Sequence, residues 1–185
     1  MKLSRTYSMK LKRRKQGKTD YKKRLALLKA GKPWFVARVK NNEVIAQIIS
    51  YKPGGDEVKA SATSIELRKL GWKKHCGNKS SAYLTGFLCG KRAVNNGLKE
   101  CNLDIGLHTP VTGSNVFAVL KGAVDAGVKI PHNEKCFPKE DLFDTKAIES
   151  IKPKLDAKKK PKTVVKCKEK GKEKKKEKGK GKKKS

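Results

Sequence analysis

Residues 86–91, Gly-Phe-Leu-Cys-Gly-Lys, are the nearest approach in this sequence to a phosphate-cradling loop, and they fail its chemistry. The gap between the two glycines is one residue too short. Arg92 stands where a Ser or Thr hydroxyl would hold Mg²⁺. Asp104 closes an apolar stretch as a metal-binding carboxylate would, but two-metal chemistry needs several converging carboxylates, and the other acidic residues have no helpful spacing. Asp104 is therefore read as a hydrogen-bonding residue at a strand end. His108 has no Ser or Cys nucleophile motif beside it, and His75 and His132 have no partner visible in sequence. The five cysteines, Cys76, Cys89, Cys101, Cys136 and Cys167, are odd in number and contain no C-x-x-C pair. They are read as reduced thiols, buried or incidental. No catalytic residue, metal site or cofactor is expected.

Two constellations carry binding chemistry instead. His108–Asn115 places His108, Thr109, Thr112, Gly113, Ser114 and Asn115 just before a helix start. Free backbone N–H groups at a helix N-terminus favour phosphate. Composition alone leaves a phosphate-contacting loop and an ordinary capped loop evenly balanced, with His108 a loop residue able to touch RNA. Lys73, Lys74, His75 and Lys79 form a second basic loop, and Lys91 and Arg92 add charge on the helix that follows.

The elements that must position these residues follow from periodicity. Thr19 or Asp20 caps a short helix over Tyr21–Lys29, stopped at Gly31, with Leu25, Leu27 and Leu28 as its docking side. Pro33–Val39, Val44–Tyr51 and Val58–Ala62 alternate as strands separated by turns, an antiparallel meander. Thr63-x-x-Glu66 is a capping box opening a helix that ends at Gly71. A longer helix starts at Ser80 or Ser81 and ends at Gly97. Gly86 and Gly90 lie on one face, suited to close packing on the sheet. A short strand lies within Leu98–Ile105, and a last helix runs from about Asn115 to Ala126 with Ser114 as cap and Gly127 as stop. The expected fold is α/β: a mixed sheet whose antiparallel meander is followed by helix, strand and helix.

Charge divides the chain in three. The 185 residues carry a net +31. Residues 1–32 hold thirteen Lys and Arg against one Asp, residues 33–151 hold seventeen against twelve acids, and residues 152–185 hold eighteen Lys against four acids. The middle is nearly ordinary, so the excess sits at the ends. So large a charge calls for a polyanion, and nucleic acid is the commonest, since each neutralised phosphate releases a condensed counterion. A membrane is not expected as partner, because no apolar run approaches the length of a span. No apolar segment of the secretory kind follows Lys10–Lys15, so a cytosolic setting is expected. Domain boundaries follow the charge: a basic N-terminal RNA-binding arm with a short helix over 1–32, an α/β domain over 33–151, and a Lys-rich low-complexity tail over 152–185. The tail has too few large apolar residues to offset the entropy of ordering and is expected to be disordered from about Lys158. Lysine without arginine suits it to non-specific phosphate contact. The arm differs, mixing Arg and Tyr with hydrogen-bonding side chains; arginine forks to phosphate or guanine and tyrosine stacks on bases.

Three segments carry a family resemblance: GKTDYKKRLALLKAGKPWFVARVKNNEVIAQII, SAYLTGFLCGKRAV and LDIGLHTPVTGSNVFAVLKGAVDAGVKIPH, with KLKRRKQGKTDY leading into the first. In order and register over about residues 4–145, the chain resembles the archaeal-type eighteenth protein of the large ribosomal subunit, whose eukaryotic counterpart is the fifth large-subunit protein. The resemblance implies a ribonuclease-H-like α/β fold without catalysis. It implies binding to 5S ribosomal RNA and to large-subunit ribosomal RNA. It also implies contact with the fifth large-subunit protein of archaea and bacteria and other proteins of the central protuberance, in the cytoplasmic ribosome. It carries RNA contact onto Arg5, Lys10, Lys12, Arg13, Arg14, Lys18, Tyr21 and Arg24, and onto Thr112, Ser114 and Asn115. The chain departs from the family in having Lys10, Lys12 and Lys15 where arginine is common and Trp34 where a basic residue is frequent; the tail matches no family pattern. The alternative suggested by the tail, a chromatin-like or DNA-compacting polyanion binder, lacks any helix-turn-helix or basic-zipper pattern in the middle domain.

Overall fold

A computed structural model describes residues 8–157. Arg5 and the tail from Lys158 lie outside them, so the expectations placed there are not addressed by the structure. The arm supplies α1 (Lys12–Lys15) and α2 (Tyr21–Lys29). They are followed by β1 (Trp34–Val39), β2 (Val44–Ser50) and β3 (Glu57–Thr63), a 3-10 turn over Ser64–Leu70, α3 (Lys79–Asn95), β4 (Asn102–Asp104), α4 (Asn115–Asp125) and α5 (Thr145–Ala157). The sheet order is β3-β2-β1-β4. β1 pairs antiparallel with β2 and β2 with β3, the expected meander, and β4 lies parallel to β1 with Val36 opposite Asp104. A parallel bridge between Glu100 and Lys129 brings the chain beyond α4 alongside the entry to β4.

Neighbouring side chains on a strand face opposite ways, and the two faces of this sheet differ. Phe35, Ala37, Val44, Ala46, Ile48, Ala60 and Ala62 face one continuous core with α3, α4 and α5. Trp34 and Val36 are as deeply buried but belong to the other face, beneath the arm. That second cover is why β1 reads as an apolar run in its first half rather than as a clean alternation.

The capping box forms as expected: the Thr63 N–H donates to Glu66 Oε1 (3.1 Å), and Gly71 ends the turn in the left-handed region at φ 99°. The start of α3 is different. Its cap is Asn78, whose Oδ1 accepts the Ser81 N–H (2.8 Å). Ser80 and Ser81 are buried within the helix and turned to other uses: Ser81 Oγ donates to the Cys76 carbonyl and Ser80 Oγ accepts the Asp144 N–H. The glycine face of α3 is also corrected. It meets α4 rather than the sheet. A Cβ on Gly86 would collide with the Val119 carbonyl, one on Gly90 with Ala123 and Ala126, and one on Gly122 of α4 with the Tyr83 carbonyl. The two helices cross at backbone contact, a spacing that only hydrogen side chains allow.

α5 is the element the sequence reading missed. Ile148, Ile151 and Leu155 enter the core, and Lys152 lies over the Tyr83 and Phe87 rings. The helix runs through residue 152, so folded chain continues into the Lys-rich region as far as Ala157. Among the described residues no helix is long and apolar enough to cross a membrane.

Candidate nucleic-acid interface

The arm reaches the sheet through α2. Asp20 caps it, its Oδ1 accepting from the Lys22 and Lys23 N–H groups at 2.9 and 3.3 Å. Leu27 and Leu28 are half-buried, but Leu25 is 54% exposed and does not dock. The seam is closed by polar contacts. Trp34 Nε1 donates to the Leu27 carbonyl (3.3 Å). Arg24 lies over the Trp34 ring (5.1 Å to its centroid) and donates through one nitrogen to both oxygens of Asp56, at 2.9 and 2.8 Å. Arg24 thus ties α2 to the β2–β3 turn.

N-terminal to this seam the cations stand in solvent. Lys10, Lys12, Arg13, Arg14 and Lys18 are exposed, and among the described residues the one hydrogen bond their side chains make joins Arg13 Nε to Thr19 Oγ1 (2.8 Å). Tyr21 is half-buried at the start of α2. Their charge is therefore available to an external polyanion. A short helix whose four residues are all Lys or Arg has no burial to hold it, since none of them is buried; it was not legible from periodicity.

The second group of candidate residues lies in the loop between β4 and α4. His108 is half-buried and Thr112 exposed. Asn115 Nδ2 donates to the Gly77 carbonyl (2.9 Å), which fastens the start of α4 to the basic loop of Lys73, Lys74 and Lys79. Ser114 holds the cap position, but its side chain makes no capping bond and its Oγ is buried without a partner. Within that basic loop Lys74 is already paired with Asp144 at 2.9 Å.

Arm and loop meet at a cleft of about 260 Å³ between α2, the outer sheet face and residues 106–107. Arg13, Lys18 and Arg24 line it from the arm, and Arg38, Asp104 and Leu107 from the domain. Arg38 is held by three acceptors: the Ala37 and Asp104 carbonyls at 2.9 Å each, and Asp104 Oδ2 at 2.6 Å. Asp104 Oδ1 accepts the Gly106 N–H (2.8 Å), and Gly106 sits against the guanidinium so closely that a Cβ would touch it. Asp104 is thus the strand-end hydrogen-bonding residue expected. Arg38 was not singled out from sequence; it is one charged residue in a strand, and its partner lies 66 positions away. His108 and Thr112 to Asn115 do not enter this cleft, whose loop wall is Gly106 and Leu107.

A family model described as ribosomal large subunit proteins 60S L5 and 50S L18 matches residues 5–99 and 93–133. The match takes in the arm, the whole sheet, α3, the β4–α4 loop and α4.

Proposed function

From the premise that the chain belongs to the family of the large-subunit ribosomal proteins 60S L5 and 50S L18, a structural constituent of the cytoplasmic ribosome and not an enzyme, we propose that it binds 5S ribosomal RNA and anchors it to large-subunit ribosomal RNA in the central protuberance, beside the fifth large-subunit protein. The observation that carries this reading is the unneutralised arm. Six exposed cations between Lys10 and Lys18 precede a helix that is itself locked to the sheet by Arg24, Asp56 and Trp34. Charge set on a fixed base can meet a fixed pattern of phosphates, whereas a run of lysines alone does not select among them. The proposed contacts are Lys10, Lys12, Arg13, Arg14, Lys18 and Tyr21, with Arg5 ahead of them. Arg24 supports the arm, and His108, Thr112 and Asn115 supply the second contact loop, with the buried Ser114 hydroxyl at its base.

Gel-shift titration at matched salt tests this. Binding to 5S RNA is expected to survive deletion of 158–185 and to be lost on deletion of 1–24. Equal loss from either deletion would overturn the assignment to the arm. Duplex DNA binding as tightly as 5S RNA would favour a general polyanion binder. Each phosphate contact removed lowers the log–log salt slope by somewhat under one unit.

A further inference from the structure

The cleft between the arm and the outer sheet face has a chemistry that charge alone does not require. Five Lys and Arg side chains line it against three Asp. Two of the arginines are matched within it, Arg24 by Asp56 and Arg38 by Asp104. The third aspartate, Asp20, is engaged by backbone N–H groups of α2. Arg13, Lys18 and Lys23 therefore leave the mouth cationic, while the floor is a neutral, hydrogen-bonded pair. A ligand that suits both is anionic at one end and neutral, with polar edges, at the other.

The floor states which edges. An ionised carboxylate offers about four lone-pair positions. In Asp104 one is filled by the Gly106 N–H and one by Arg38. The two that remain lie on a side chain that is 18% exposed and fixed by both partners. Beside them Arg38, with its Nη1 hydrogens committed to the Ala37 and Asp104 carbonyls, keeps one Nη2–H and its Nε–H for an acceptor. Two open acceptor positions next to an open donor match a group with two adjacent N–H donors next to a carbonyl. Guanine presents that set along one edge: N1–H, the N2 amine and O6. Adenine and cytosine bring a single amine, and uracil a single ring N–H. A guanidinium from another protein would also offer paired donors, but its charge would be repelled by the cationic mouth. Val36 and Ile49 of the sheet and the 57% exposed Leu107 provide apolar wall for the flat face of a base. The volume of about 260 Å³ falls below the usual range for drug-sized ligands and suits one base.

We propose that this cleft receives a single unstacked guanine, its N1–H and N2 amine on Asp104, its O6 on Arg38, and its phosphate among Arg13, Lys18 and Lys23. The inference deepens the RNA-binding reading and rests on it. Guanine with a phosphate occurs both in a single-stranded stretch of RNA and in a free nucleotide, and splayed-out bases are what proteins read in RNA.

The test uses the full chain and the ribo-heptamers UUUGUUU, UUUAUUU, UUUCUUU and UUUUUUU, with GMP and GTP as free-nucleotide arms. At matched salt UUUGUUU is expected to bind about tenfold more tightly than the other three, within the discrimination of one good bidentate base contact. Replacing its guanine with inosine, which lacks the N2 amine, removes most of that preference. Binding of UUUGUUU shifts the Gly106 amide and Arg38 Nε–H resonances, and Asp104→Asn abolishes the base preference. Equal affinity for all four heptamers overturns the proposal without needing any variant. Tighter binding of GMP or GTP than of UUUGUUU overturns the RNA source and assigns the cleft to a soluble guanine nucleotide. If 5S RNA binds but guanine is not preferred, the cleft proposal fails alone. If guanine is preferred but 5S RNA does not bind, the 5S reading fails and the cleft proposal stands.

Discussion

One sheet separates two unlike halves of this molecule. On one face α3, α4 and α5 make a dry layer in which helices touch backbone to backbone at Gly86 and Gly122. On the other, a short basic arm is fastened by an ion pair, a ring contact and one indole hydrogen bond, over a cleft lined with charge. Apolar burial is worth about 25 cal/mol per Å², whereas partly exposed ion pairs contribute at most about 1 kcal/mol each. The helix face therefore holds the fold, and the arm face is left free to carry unmatched charge that a stability-bearing face could not.

Thiol chemistry offers the sharpest way to break that division. Burial pushes the Cys89 thiol up to about 12 and the Cys101 thiol up to about 11. Against an ordinary thiol, Cys89 then holds about a thousandfold less thiolate at pH 8, the form that reacts. In the native protein iodoacetamide is expected to modify the half-buried Cys136 and to spare Cys89 until the protein unfolds. Comparable rates at Cys89 and Cys136 would show that the helix layer is not dry.

Next in size is Gly122→Ala. Its methyl has no space against the Tyr83 carbonyl, and prying apart α3 and α4 should cost about 3 kcal/mol in urea denaturation, with RNA affinity of the folded fraction unchanged. Arg13→Ala and Arg14→Ala should do the reverse. Each is expected to cost about 1–3 kcal/mol of RNA affinity if its contact is bidentate, with the urea midpoint unmoved. If either arginine variant unfolds the protein, or the glycine variant weakens RNA binding without unfolding it, the two faces are not divided as stated.

Smaller effects belong to the rim of the helix layer. For Glu66, burial by itself would raise the carboxyl, but hydrogen bonding and charge from Arg92, with help from Thr63, outweigh it and hold the group below its ordinary value of 4.5. A carboxylate lowered in the folded state stabilises above its unfolded pKa, and that contribution disappears as pH falls through the folded value. Glu66→Gln should therefore cost about 1 kcal/mol near pH 7, since the pair is partly screened by solvent, and the difference from the native protein should shrink below pH 4.5. A difference constant down to pH 3 would remove the ion pair as its cause. Least of all, replacing any one lysine beyond Lys158 with Ala should change RNA affinity by under about 0.5 kcal/mol, because its role is a diffuse charge.

Local signals in the sequence carried much of this far. The capping box at Thr63 and Glu66, the stops at Gly71 and Gly127, the Asp20 cap and the three-strand meander each depend on residues within a few positions of one another, so the periods and caps alone place them. α5 escaped because Pro153 and three lysines mask the apolar spacing of Ile148, Ile151 and Leu155, which only the core makes meaningful. The same holds for the glycines. Their freedom from side chains was readable, but not that the backbone they approach belongs to α4.

The sequence by itself determined the charged ends, the membership in a ribosomal family and the succession of strands and helices, because composition, motifs and periodicity are properties of neighbouring residues. Only the tertiary structure decided which face of the sheet the arm covers, that Arg24 is bound to Asp56, and that Arg38 and Asp104 share the floor of a cleft. The last of these depends on the parallel register of β1 and β4, which sets Val36 opposite Asp104 across 68 positions of chain. No local preference encodes such a register; it is settled when both strands pack against the same helices.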